Sequence, residues 1–289
     1  MVNMNRLDTN RRAQIVKCLV EGMSIRSTVR LTGASKNTIA KLLVELGAAC
    51  TRFMDEAMVN LQCKRIQCDE IWSFVYAKEK NVTQEIAEER VAGSVWTWTA
   101  IDADNKLIPC WLIGKRDAGC ATEFMQDLAG RLSNRVQLTS DGLKIYLNAV
   151  IDSLAGDIDY AILHKVYGAD RPDAARYSPA VCIGCEKAEM IGNPDPKHIS
   201  TSYVERANLS MRMSMRRFTR LSNAFSKKIE NHAASVAIYF TWYNFGRVHQ
   251  TLKMTPAMRA GIANHVWTVD EMIELLTKDE PKTTRPVSN

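Results

Sequence analysis

Three acids in this chain sit where a divalent cation could be held. Asp69 lies in the middle of KRIQCDEIWSFVYA, a run otherwise rich in Ile, Trp, Phe and Val. Asp141 ends VQLTSD, where the chain turns at a glycine, and Glu205 falls early in STSYVERANLSMRMSMRRFTRL. A carboxylate inside an apolar strand is costly unless it is paired or metal-bound. Carboxylate oxygens suit Mg²⁺ (or Mn²⁺). Two such ions can activate a water or a 3′-hydroxyl on one side of a phosphate and stabilise the leaving oxygen on the other. The acids are 72 and 64 residues apart, so only tertiary folding can assemble them. The ordinary alternative is that these are three of 32 acids, placed by local structure alone.

The surroundings of Glu205 add to this pattern. Glu205, Asn208 and Arg212 are spaced i, i+3, i+7 and share one face of a helix. Between positions 204 and 220 there are five arginines and one acid. Arg212, Arg216 and Arg220 follow at i, i+4, i+8, so a continuous helix would carry them along one side, as a track for phosphates. The plain alternative is that they pair with acids of the middle segment. Eight cysteines are scattered over the chain, unlike a disulfide framework. Cys182-x-x-Cys185 offers half of a zinc site, with His164, His198, Cys63 or Cys68 as possible partners. A structural zinc site needs four ligands, and two free loop thiols are the simpler reading.

The elements that must position these groups follow from periodicity. Residues 9–47 read as three short helices. Ser24 and Ser35 are placed to cap the second and third, and Gly33 lies in the turn between them. This is a helix-turn-helix pattern, with Ser35, Lys36, Asn37, Thr38 and Lys41 on or near its DNA-facing side. From residue 64 the period changes to that of strands. Strands are predicted over 64–77, 93–101, 106–114, 136–141 and 159–167, with helices at 117–133 and 142–154. That order fits a mixed α/β domain around a central sheet. On strand 64–77, alternation puts Asp69 with Gln67, Ile71 and Ser73, and Glu70 on the other face with Cys68 and Trp72. Residues 167–199, rich in Pro and Gly, read as an insertion or functional loop. Helices are predicted again at 200–221 and 226–246.

Charge is distributed unevenly. The net charge of +6 comprises +5 in residues 1–50 and +8 in residues 201–260, leaving −7 elsewhere. Two basic regions around an acidic middle suit a polyanion met at two places, or two solvated helical faces. No apolar run reaches the roughly 18–20 residues that cross a bilayer, and the N-terminus lacks a signal-peptide stretch. A cytoplasmic, nucleoid-associated protein without a membrane partner is the expectation.

Four segments, in order, carry a family resemblance: CDEIWSF around Asp69, TSDGLKIY around Asp141, STSYVERANLSMR around Glu205, and YNFGRVHQTLKMTPA from Tyr243 to Ala257. Together they resemble bacterial insertion-sequence transposases of the DDE type, the IS-one-like group, over about residues 60–265. The resemblance implies a ribonuclease H-like fold, Mg²⁺ dependence with two ions, and catalytic, metal-holding acids at Asp69, Asp141 and Glu205. It implies cleavage at element ends and transfer of the 3′-hydroxyl into target DNA. The partners would be terminal inverted repeats, target DNA and further copies of the chain on the bound ends. The expected segmentation is a helix-turn-helix domain at 1–50, a helical connector at 51–63, a catalytic domain at 64–265, and a C-terminal helix with a disordered tail at 266–289. A catalytically inactive, domesticated DNA-binding regulator is the alternative from another functional class.

Overall fold

The computed structural model describes residues 7–168, 182–219 and 223–278. They fall into two compact units, Met1–Ala57 with Ser214–Asn289, and Met58–Met213. Residues 214–265 thus cluster with the N-terminal helices, whereas the segmentation read from sequence grouped them with the sheet. The tail 279–289, Arg220 and the stretch 169–181 of the expected insertion lie outside the described residues.

In the first unit, α1 (Thr9–Val20) is capped by the Asp8 carboxylate, which accepts from Arg11 N at 2.7 Å. Helix α2 (Ile25–Thr32) opens on Ser24 and closes at Gly33, whose φ of +69° is left-handed and free of Cβ cost only for glycine. The Ser35 hydroxyl accepts from Thr38 N at 3.1 Å and starts α3 (Lys36–Ala57). This helix runs through most of the expected connector. Nothing in GAACTRFMDEA breaks it, and Cys50 and Met54 stay buried in phase with Leu43 and Leu46.

The second unit opens with β1 (Arg65–Val75), followed by a short α4 (Gln84–Glu89), β2 (Gly93–Asp102) and β3 (Trp111–Gly114). Strand β3 is shorter than the predicted 106–114. Pro109 cannot donate to a ladder, and Lys106 has φ +59°. Next come α5 (Ala118–Arg131), β4 (Val136–Asp141), α6 (Ile145–Leu154), β5 (Ile158–Tyr167), β6 (Cys182–Ile191) and α7 (Ser202–Ser214). The sheet order is β3-β2-β1-β4-β5-β6. The outer pairs are antiparallel, while β1/β4 and β4/β5 are parallel. A six-stranded mixed sheet flanked by helices is an α/β fold of the ribonuclease H-like kind.

Strand β6 falls inside the segment read as an irregular loop. It is an edge strand exposed on both faces, so no apolar alternation marks it in sequence. On one face of the sheet, Trp98 meets Phe124 of α5 and Tyr146 of α6, with ring centroids 6.0 and 5.5 Å apart. On the other face lies α7. It ends at Ser214 and not near 221, because Met215 is extended (φ −128°, ψ 107°) and both Met215 and Phe218 turn inward. Arg216 therefore sits in a separate 3-10 turn, and the helix that carries Arg212 does not continue to Arg216.

The first unit resumes with α8 (Ile229–Thr241), α9 (Pro256–Arg259) and α10 (Val269–Lys278). Helix α8 packs against α3, and α10 packs against α1 and α3. Among the described residues no helix is long and apolar enough to cross a membrane.

The α3–α8 contact depends on Gly47. A Cβ placed there would lie 2.4 Å from both Cα and Cβ of Ala234, closer than real Cβ atoms come. Gly47→Ala forces the helices apart and is expected to cost about 1–3 kcal/mol. Urea denaturation of the two proteins measures this, and unchanged stability would show that the close approach is absent.

Candidate functional site

The site is built at the C-terminal ends of two parallel strands. The β1/β4 ladder runs Arg65↔Gln137, Ile66↔Leu138 and Gln67↔Thr139. Two residues further along each strand stand Asp69 and Asp141, so the register makes them neighbours. Glu70 joins them. Carboxylate oxygens of Asp69, Glu70 and Asp141 all lie within 4.8 Å of one another. Strand alternation does send Asp69 and Glu70 to opposite faces. Their carboxylates still meet, because β4 ends at Asp141 and both can reach its rim.

Each acid is held by named partners. Asp69 accepts from Glu70 N at 2.9 Å and from Asn208 Nδ2 at 2.9 Å. Asp141 accepts from Leu143 N at 3.0 Å. Glu70 is buried and accepts from the Tyr146 hydroxyl and from Arg116 Nε, the latter at 3.0 Å. The same guanidinium lies 3.7 Å from Asp141 and over the Trp96 ring. Arg116 is thus a cation shared by two acids of the cluster.

Burial and mutual repulsion shift these acids. Burial first, then the Asp141 charge, pushes Asp69 up to about 6, against the hydrogen bonds from Glu70 N and Asn208, and the Glu205 charge adds to the rise. Glu70 is pushed up to about 7, again chiefly by burial, with Tyr146 and Arg116 opposing.

Glu205 stands outside the three-acid group. Its carboxylate pairs with Lys165 of β5 and accepts from Thr201 Oγ1 at 2.5 Å. The helix that carries it is nonetheless docked beside Asp69. Gln67 Oε1 accepts from Tyr203 N at 2.8 Å and Val204 N at 3.2 Å, satisfying two donors of the first turn of α7. One turn further on, Asn208 reaches Asp69. Asn208, expected at DNA, is buried and engaged with this acid.

The remaining expected site residues are dispersed. Arg212 is half-buried and Arg216 exposed. Lys36 and Asn37 are exposed on α3, and Lys41 is exposed with Glu45 at 3.7 Å. Ser35 and Thr38 also share a side-chain hydrogen bond of 2.8 Å. Cys182 and Cys185 are exposed, and among the described residues no third His, Cys, Asp or Glu completes a metal-holding group with them. Of the suggested zinc partners, Cys63 and Cys68 are buried.

Sequence reasoning passed over Glu70, Arg116, Tyr146, Lys165 and the capping role of Gln67. For Glu70 a signal existed, since a second acid beside Asp69 in an apolar strand carries the same burial cost. The others are contacts across 40 to 137 positions, with no local mark. The donor set is all carboxylate oxygen, which fits a hard divalent cation held by Asp69, Glu70 and Asp141.

Two outcomes are expected. Gln67→Met keeps the volume but leaves the α7 donors without their acceptor. It should cost about 1–3 kcal/mol and weaken Mn²⁺ binding through the displaced Asn208, as read by denaturation and by Mn²⁺ titration. Wild-type values in both would remove Gln67 from the site. The second outcome concerns pH. Glu70 has an ordinary value of 4.5 and sits near 7 when folded, so the folded chain holds this proton more tightly than the unfolded chain. That stabilisation is complete below about 4.5 and is lost as pH rises through about 7. In chelator, Glu70→Gln should flatten the fall in Tm across this window, whereas an unchanged slope would contradict the burial of the Glu70 charge.

No family model matches the chain, and no curated protein matches it. Among solved structures it is similar to a piggyBac transposase in a synaptic complex with hairpin DNA, determined by cryo-EM. The identity is 11%, over 96% of this chain and 73% of that one, with a TM-score of 0.37. A likeness this distant carries no conclusion about the site, which stands on the geometry of the chain itself.

Proposed function

We propose that the chain is a DNA transposase of a bacterial insertion element, a metal-dependent enzyme that hydrolyses phosphodiesters at element ends and transfers the freed 3′-hydroxyl into target DNA. The observation that carries this reading is the convergence of Asp69, Glu70 and Asp141 within 4.8 Å at the ends of two adjacent parallel strands, with the Asn208 amide on Asp69. The order of acids, Asp69 on the first strand, Asp141 at the end of the fourth and Glu205 on a following helix, supports the DDE assignment.

Asp69 and Asp141 would hold Mg²⁺ or Mn²⁺, with Glu70 or Glu205 completing the set. A bound pair of such ions supplies a nucleophile at neutral pH and compensates charge on the leaving oxygen. Asn208 orients Asp69, and Tyr146 holds Glu70. Arg116 offsets the repulsion of the acids and offers a guanidinium to a phosphate at the same rim. Glu205 pairs with Lys165 in the structure, and its charge acts on Asp69. The α2–α3 pair would read the element ends through Lys36, Asn37 and Lys41, and the basic segment 201–260 would hold backbone phosphates without reading sequence.

The test is cleavage of labelled DNA carrying the sequences that flank the gene, in Mg²⁺ or Mn²⁺. Asp69→Ala, Asp141→Ala and Glu205→Ala are each expected to lose at least a hundredfold in rate, on the order of the loss when a single catalytic group is removed, while still binding the DNA. Cleavage at the wild-type rate by Asp141→Ala would refute the metal site. Wild-type cleavage by Glu205→Ala with loss in Glu70→Ala would hand the third position to Glu70.

A further inference from the structure

Cysteines 182 and 185 pose a geometric puzzle. They are three apart on a strand, and in a regular strand residues i and i+3 point to opposite faces. Their sulfur atoms nonetheless lie 4.0 Å apart. The β5/β6 register resolves this. Lys165 pairs with Cys185, Val166 with Gly184, and Tyr167 with Cys182, with a register shift between Val166 and Tyr167. Ile183 is therefore the extra residue of a β-bulge. Counted along β5, the two cysteines stand opposite positions 165 and 167, two apart, and so share a face. The bulge turns an i, i+3 spacing into an adjacent pair. The Cys182 thiol donates to Gly184 O at 3.2 Å, across the bulge and toward its neighbour.

The two thiols are exposed on β6, the last strand of the sheet among the described residues. Zinc would require further ligands, and the nearby candidates are otherwise placed. The His198 ring is bonded to Arg65, and the His164 ring packs on Gly142. Closing a disulfide requires the sulfurs to come from 4.0 Å to about 2.05 Å.

We propose that Cys182 and Cys185 form a thiol–disulfide exchange site whose co-substrate is a low-molecular-weight disulfide of the glutathione type. One cysteine thiolate attacks a sulfur of the small disulfide, forming a protein-to-ligand S–S bond and expelling one small thiolate. The second cysteine thiolate attacks the protein sulfur of that bond, forming the Cys182–Cys185 disulfide and expelling the other small thiolate. Two electrons pass from the cysteine pair to the small disulfide, and the two cysteine protons end on the two released thiols. The step uses neither the carboxylates nor DNA, although Lys165, opposite Cys185 on the neighbouring strand, also pairs with Glu205.

The test is made on the full-length, reduced protein. It is exposed to glutathione disulfide under native conditions, quenched with acid, alkylated and digested with trypsin. The peptide 177–187 carries both cysteines. It is expected to lose two hydrogens and both alkylation sites, and to regain them with dithiothreitol. Cys185→Ser is expected to stop at a glutathione adduct on Cys182, because the resolving thiol is gone. Both thiols remaining open to alkylation in the treated wild type would overturn the proposal. So would glutathione adducts persisting on both cysteines, or one zinc ion per chain that shields both thiols and is lost in Cys182→Ser.

Discussion

Three carboxylates whose oxygens lie within 4.8 Å of one another repel, and two of them are largely removed from water. The rest of the sheet unit is arranged around that repulsion. Positive charge comes from Arg116, which reaches Glu70 and Asp141 from the loop between β3 and α5. Hydrogen bonds come from Tyr146 on α6, Asn208 on α7 and the backbone N–H groups of Glu70 and Leu143. These groups come from both faces of the sheet, so the cluster can persist only if both helical layers are in place.

Helix α7 is tied to this cluster by its first turn. Gln67 and Asp69 face the same way along β1. The first accepts from the N-terminal N–H groups of the helix, and the second accepts from Asn208 one turn later. A helix held at two points of one strand cannot rotate without breaking one of them. Glu205, between these points in sequence, is consequently fixed in azimuth. Its carboxylate is free to choose partners only through its own rotamers, and in this structure it takes Lys165 and Thr201.

The other unit is organised by close helix packing. Gly47 lets α3 approach α8 to a distance no side chain would allow, and the unbroken α3 carries Lys36 and Asn37 at one end and that contact further along. The division of the chain follows from the same contact. Residues after Ser214 bury their apolar face, Val236, Ala237 and Phe240 among it, and belong with the N-terminal helices although they are far from them in sequence.

What the sequence by itself determined was local: caps at Ser24 and Ser35, the turn at Gly33, the strand periods of β1, β2 and β4, and an acid at each of two strand positions. These follow from backbone sterics and from alternation, which short windows contain. The early end of α7 at Met215, the strand β6 and the length of α3 were harder to read. Helix ends and edge strands are decided by what covers them, and an edge strand exposed on both faces has no hydrophobic rhythm. Only tertiary structure decided which acids meet. The parallel β1/β4 register brings Asp69 to Asp141, the end of β4 admits Glu70 from the opposite face, and Lys165 holds Glu205 aside. Carboxylate proximity is a property of strand register and rim geometry, and neither is written in residue type or spacing.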